Sequence, residues 1–195
     1  MTKEHTGQKP VIPDAGSIEA QVRRAAPRGL PPVEDWNPDY CGEMDLVIQR
    51  DGTWIHEGTP IGRPKLVKLF STILKREGDD YFLVTPVEKL GIKVEDAPFV
   101  AVDFARDDDD LVFTTNVGDT VRADAEHPIR VERDAATGEP SPYILVRRNL
   151  EALIDRKSFY RLVDIGEVAP HDGAEWFGLR SGGQFFPVIP AAELP

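Results

Sequence analysis

The chain has 195 residues, of which 41% are hydrophobic and 29% charged, and a formal net charge of −11. That length suits one large domain or two small ones with ordinary cores, and the composition is that of a soluble globular protein. No apolar run approaches the roughly 20 residues that span a bilayer, and a surface of this sign repels nucleic acid and anionic lipid at long range, so neither is an expected partner.

The acidic excess is uneven. The first 97 residues carry 13 basic and 16 acidic side chains, and the remainder carry 10 and 18. The polar stretch from Met1 to Pro13 lacks the apolar centre of a signal peptide. Cys41 is alone and has no partner for an intramolecular disulfide. Both features point to a cytoplasmic location.

In chain order, residues 1–16 read as a polar tail. Ser17 caps a short helix through Arg24, with Ile18, Val22 and Ala25 on one face, and Pro27, Pro31 and Pro32 end it. Trp36 and Tyr40 read as anchors. Met44–Gln49 and Trp54–Glu57 form a hairpin about Asp51-Gly52, where glycine accepts positive φ. Pro64 opens a helix whose apolar positions are Leu66, Leu69, Phe70, Ile73 and Leu74. Lys65, Lys68, Lys75 and Arg76 decorate its other face, and Glu77-Gly78-Asp79 closes it. Strands follow at 81–84, 87–94 and 99–104. The acidic run Asp107–Asp110 is a hairpin tip, followed by strands at 111–115, 121–123, 129–132 and 143–146. Residues 150–154 and 159–165 read as helical, and a last hairpin pairs 176–179 with 185–189 about Ser181-Gly182-Gly183.

A pattern occurs twice in this reading. Residues 45–84 run apolar segment, Arg50-Asp51-Gly52, amphipathic helix, Asp80-Tyr81-Phe82. Residues 129–179 run apolar segment, Arg133-Asp134 with Gly138, amphipathic helix, Glu175-Trp176-Phe177. Short strands, turn signals and two substantial helices indicate an α+β protein. The expectation is two structurally similar small domains, mostly antiparallel sheets each packed by one helix, with a ligand cleft between them. The boundaries are a tail and short helix over 1–32, an N-terminal domain over 33–96 and a C-terminal domain over 97–195.

Chemical motifs are sparse. The Gly58–Lys65 stretch opens a helix but lacks the Gly-Lys-Ser/Thr of a phosphate loop. The four histidines are far apart and one cysteine accompanies them, so no metal site is expected. The Asp107–Asp110 run lacks the alternating ligands and glycine of a calcium loop. No Gly-x-Ser-x-Gly elbow occurs, Ser181 reads as a turn residue, and no catalytic residue or cofactor is assigned. The Phe159-Tyr160 and Phe185-Phe186 pairs read as core. Asn116, Asp119, His127 and Arg130 form the densest mix of hydrogen-bonding and proton-transferring types.

Several phrases occur in a fixed order: Cys41-Gly42-Glu43-Met44-Asp45, Asp51-Gly52-Thr53-Trp54, Gly58-Thr59-Pro60-Ile61, Leu83-Val84-Thr85-Pro86-Val87-Glu88-Lys89, Val94-Glu95-Asp96-Ala97-Pro98-Phe99-Val100, Thr115-Asn116, His127-Pro128, Pro142-Tyr143 and Phe185-Phe186-Pro187. Over about residues 32–190 the chain resembles the bacterial domain-of-unknown-function family 1285. The resemblance implies two related α+β halves, the second superficially like a pleckstrin-homology domain, a groove between them and a role in signalling, with no reaction attached. The polar positions it places nearest the domain junction are Arg63, Glu88, Asp96, Asn116, Asp119, His127, Arg130, Tyr143 and Arg147.

Two functions follow as expectations. The first is a cytoplasmic binding or adaptor protein whose interdomain groove takes a small anionic ligand or a peptide or protein partner, because arginines suit phosphate or carboxylate and a sheet edge suits an added strand. The alternative is a hydrolase or transferase with His127 as general base oriented by Asp119.

Overall fold

The computed structural model describes residues 15–25 and 29–194. Of the tail expected over residues 1–16, residues 1–14 lie outside the described residues, as does the stop expected at Pro27; Ala15 and Gly16 are already helical, so Ser17 sits inside the helix and is not its cap. The chain forms two compact units, residues 1–47 with 54–93 and residues 48–53 with 94–195.

The first unit opens with helix α1, Ala15–Ala25, whose Ile18 and Val22 are fully buried. These residues lie one turn apart on one face, and each such burial is worth roughly 1.5–3 kcal/mol. A 3-10 turn at Val33–Asp35 buries Val33. Trp36 is half-buried, but Tyr40, expected as an anchor, is 54% exposed.

The unit's sheet is built from β1 (Tyr40–Ile48), β2 (Trp54–His56), β3 (Thr59–Pro60), β4 (Leu74–Glu77), β5 (Asp80–Val84) and β6 (Lys89–Val94). Their order is β3-β2-β1-β6-β5-β4. Helix α2, Pro64–Thr72, joins β3 to β4 and buries Leu66 and Phe70. It is shorter than the apolar spacing predicts. Leu74 continues the helical period, yet residues 74–77 are a strand paired with 80–83 through the Gly78 turn. Lys75 is therefore buried rather than solvent-facing. Its ammonium lies 3.4 Å from the Trp36 carbonyl and 3.7 Å from Glu77.

The second unit contains a six-stranded sheet of β7 (Phe99–Asp107), β8 (Asp110–Thr115), β9 (Thr120–Arg122), β10 (Ile129–Arg133), β11 (Pro140–Arg147) and β12 (Leu150–Ile154), in the order β10-β11-β12-β7-β8-β9. Residues 150–154 are thus a strand, not helix. Leu150, Ala152 and Ile154 alternate inward, the period of a strand. Helix α3, Arg156–Val163, follows. A three-stranded sheet of β13 (Glu167–His171), β14 (Ala174–Ser181) and β15 (Gln184–Pro190) completes the unit. Its first strand buries only Ala169, too little for an alternating apolar pattern to mark it in the sequence.

Phe99, Phe113, Leu111, Ile144 and Leu162 fill the second unit's core. Ser181 is buried in a β14–β15 turn that locks the small sheet to the large one. Its hydroxyl accepts from the Leu111 amide at 2.8 Å and donates to the Ala123 carbonyl at 2.6 Å.

Numbered from its own first strand, each large sheet has the same order, 3-2-1-6-5-4. Strands β7 and β12 pair in parallel. In the first sheet, the Glu95 amide just past β6 donates to Ile48 at the end of β1, so the C-terminal ends of those neighbours lie side by side and that pair is parallel too. A duplicated topology is therefore present, but not in the phase read from the sequence. β1 corresponds to β7 and β6 to β12. The Tyr81 segment lies in a six-stranded sheet, whereas the Trp176 segment lies in the three-stranded one. Asn116–Arg130 corresponds to the stretch of the first unit that carries α2.

Candidate functional site

Two of the nine candidate residues belong to the first unit, and both hold α1. Arg63 pairs with Glu19 at 3.2 Å. Glu88 accepts from the Gln21 amide nitrogen at 2.8 Å, while Thr85 donates to the Gln21 oxygen at 2.7 Å. Arg23, then Arg63, hold the Glu19 carboxyl below its ordinary range against the opposing effect of burial.

In the second unit Asp96, Tyr143 and Arg130 form one network. The Tyr143 hydroxyl donates to Asp96 at 2.7 Å, and Arg50 meets the same carboxylate at 3.0 Å. Burial first, then the Asp96 carboxylate, pushes the Tyr143 phenol up to about 12. Arg130 stacks 4.3 Å over the Tyr143 ring and forks onto Glu151 at 2.5 and 2.7 Å. Glu151, with Glu132 beside it, raises the affinity of Arg130 for its proton further.

Arg147 is bonded to Asp119 and lies 4.7 Å over the Phe99 ring. Asn116 is consumed by backbone. Its oxygen accepts from Val100 at 3.0 Å, and its nitrogen donates to Gly52 at 3.2 Å. His127 sits 3.2 Å from Asp124, so its carboxylate neighbour is Asp124 and not Asp119, which Arg147 occupies. Burial opposes ionisation of Asp124, yet the amides of His127 and Glu126 and the His127 ring hold its carboxyl below the usual range. The same carboxylate oxygen that meets the imidazole closes the turn through those amides at 2.9 Å each. This is a capped turn.

The structure thus joins Asp96, Tyr143 and Arg130, pairs Asp119 with Arg147, sets Arg63 and Glu88 against α1, and leaves Asn116 and His127 in separate local roles. Among the described residues, no group of three or more His, Cys, Asp or Glu side chains is placed to hold a metal ion.

Three surface clefts stand out among the described residues. One of about 340 Å³ in the first unit lies beside Tyr40, Phe82 and Lys89. One of about 460 Å³ in the second unit lies between Arg106, Ile165 and Arg180. The largest, about 550 Å³, is also in the second unit, formed by the β10–β11 loop, the end of β12 and the start of α3. Pro140, Pro142, Leu153, Phe159 and Tyr160 give it apolar walls, and its polar lining is mixed, with Arg50 and Arg156 beside Asp134, Glu139 and Asp155 and the neutral Thr137 and Ser141.

The sequence positions this cleft. Asp155 caps α3 by accepting from the Ser158 amide at 2.7 Å, and Arg161 holds the helix to β7 through Asp103 and the Phe104 carbonyl. With Ser158 and Leu162 facing inward, Phe159 is left half-buried and Tyr160 59% exposed, so this pair is not the core expected of it. None of the nine candidates lines the cleft, although Asp96 holds Arg50, which does. The available signal was an aromatic pair on a helix whose buried stripe is only Ser158 and Leu162.

A family model described as "Domain of unknown function (DUF1285), N-terminal domain" matches residues 31–97, and "Protein of unknown function (DUF1285), C-terminal domain" matches residues 98–188. The chain belongs to the DUF1285 family. It is similar to a crystal structure of a DUF1285 family protein from Silicibacter pomeroyi DSS-3, with 56% identity, a TM-score of 0.79, and 90% of this chain and 96% of that one covered. A DUF1285 family protein from Shewanella baltica OS155 is 32% identical with a TM-score of 0.50, covering 62% of this chain and 91% of that one. No curated protein matches the chain. Among the described residues, no helix is long and apolar enough to cross a membrane.

Proposed function

We propose that this DUF1285 protein is a cytoplasmic binding or adaptor protein that takes a peptide segment of a partner in the 550 Å³ cleft of its second unit. One observation carries the reading: an aromatic side chain, Tyr160, stands 59% exposed in a cleft walled by Phe159, Pro140 and Pro142. Aromatic anchors with a polar rim are the usual energetic centre of a protein interface. Arg156 and Glu139 at the rim are 72% and 60% exposed, and so open a pair contributes little. A carboxylate of the peptide replaces Glu139 at small cost. The preferred segment therefore carries an apolar residue next to an acidic one.

A small anion is the weaker ligand, because Arg63, Arg130 and Arg147 each already hold a carboxylate of the chain. The hydrolase alternative has the His127–Asp124 contact, but His127 lines none of the three clefts. A lone free thiol at Cys41 suits a reducing compartment. The pleckstrin-homology-like reading of the second unit and a signalling role belong to the same proposal. Two sheets with one helix support the first, and a peptide-sized cleft supports the second.

The test is to pan a displayed peptide library on the full chain and titrate selected peptides calorimetrically. Tyr160→Ala and Arg156→Glu are each expected to weaken binding at least tenfold with unchanged circular dichroism. Equal affinity for the parent chain and both variants would remove the cleft from consideration.

A further inference from the structure

Helix α1 has eleven residues, below the length at which an isolated helix holds together in water. Its helicity therefore depends on what it docks against. The family models begin at residue 31, so α1 lies outside them and packs on a surface that belongs to them. Its grip is compact. Ile18 and Val22 are buried, Gln21 is held at both ends by Thr85 and Glu88, and Glu19 meets Arg63. An apolar pair four residues apart with polar residues between is how an amphipathic helix seats in a groove.

We infer that the face of the first unit formed by α2 and the Thr85–Glu88 turn is a helix-docking site. α1 fills it within the chain, and a partner's amphipathic helix of the same pattern takes it when α1 lifts away. The partner helix carries two β-branched or aliphatic residues at i and i+4, a glutamine at i+3 and an acidic residue at i+1. Glutamine fits because it alone among those positions must both donate, to Glu88, and accept, from Thr85. The acidic position fits because Arg63 is 68% exposed and reaches it from the rim. This site belongs to the first unit and stands independently of the cleft proposed for the second.

The probe is a fluorescent, end-capped peptide of residues 15–25, titrated into the full-length chain and followed by anisotropy. The parent chain, whose site is filled, is expected to bind at least tenfold more weakly than the Ile18→Asp/Val22→Asp variant, whose own α1 is released. Adding Arg63→Glu and Thr85→Val to that variant should weaken the peptide again by at least tenfold. The inference is overturned if the released variant keeps its folded spectrum and binds no peptide, or if the face substitutions leave binding unchanged. Hydrogen exchange of the parent chain provides a reading that needs no variant. Amides of α1 are expected to exchange at least a hundredfold faster than those of β5 and β6, and equal protection would mean α1 does not lift. A dimer of the parent chain by light scattering, with no peptide binding, would make a second copy's α1 the occupant and overturn the partner assignment.

Discussion

The two six-stranded sheets follow one path and are finished differently. In each, the amide just past the sixth strand donates at 3.0 Å to the first strand, Glu95 to Ile48 and Asp155 to Ala101. The carboxylates of the same two residues then diverge. Glu95 accepts from the Arg50 amide at 2.9 Å and the chain passes on to β7, whereas Asp155 caps α3. In the first sheet α2 joins the third and fourth strands, and in the second a short loop holding His127 does. The lesson is that the strand path is the repeated element. Helix placement is what varies, and both proposed binding surfaces, the α3 cleft and the α1 face, lie at those variable points.

The sharpest way to break this comparison is through the two cores. Phe70 on α2 and Phe113 on β8 are both fully buried. Replacing either with alanine is expected to cost about 3–5 kcal/mol in urea unfolding. A loss under about 1 kcal/mol at Phe70 alone would show that α2 is an ornament and not part of the first unit's core.

Next in size are the hairpin glycines. Gly52 has φ +86°, and a Cβ there would lie 2.6 Å from the Asn116 nitrogen, while Gly78 has φ +62° with open space around it. Both substitutions by alanine meet the left-handed penalty of roughly 1–2 kcal/mol, and Gly52→Ala adds the clash. Its unfolding free energy should fall by more than that of Gly78→Ala. Equal losses would mean that the Asn116 clamp yields freely.

Smaller again is the divergence after the sixth strand. Asp155→Ala removes a helix cap and should cost about 1 kcal/mol. Glu95→Ala removes one bond to an exposed amide and should stay within about 0.5 kcal/mol by thermal unfolding.

The smallest effect is confined to alkaline pH. The Tyr143 phenol is raised to about 12 in the folded chain, above the ordinary value near 10. The folded state therefore keeps a proton that the unfolded state loses. The contribution is complete below pH 10 and disappears as pH rises toward 12. The Glu43 hydrogen bond also raises the Tyr40 phenol, so titration of tyrosinate absorbance should show a late component in a Tyr40→Phe background that Tyr143→Phe abolishes and Asp96→Asn moves down.

Much of the frame was legible because turn chemistry is local. Asp51-Gly52, the Asp107–Asp110 tip and Ser181-Gly182-Gly183 all mark hairpins, as their residue types require. Periodicity failed where two periods fit the same residues. Leu150, Leu153 and Ile154 suit a helix, but burial follows Leu150, Ala152 and Ile154. Leu74 prolonged the α2 pattern into β4 in the same way. The repeat was placed out of phase because Arg-Asp opens three hairpins, at 50–51, 106–107 and 133–134, and the second of these is the topological equivalent of the first. The candidate residues were chosen by type, and their actual partners are set by long-range pairing that no local pattern records. Arg63 and Glu88 hold a helix more than 40 residues away, and Arg50, 91 residues from Ser141, was passed over.

The central claim is that the α3 cleft is where this protein meets a partner. The most direct measurement is a nitrogen-15 NMR titration of the full chain with a library-selected peptide. The account predicts amide shifts centred on Arg50, Ser141, Arg156 and Tyr160. Shifts centred on the His127 turn or on the Arg130–Tyr143 network, with the α3 amides unmoved, would contradict it.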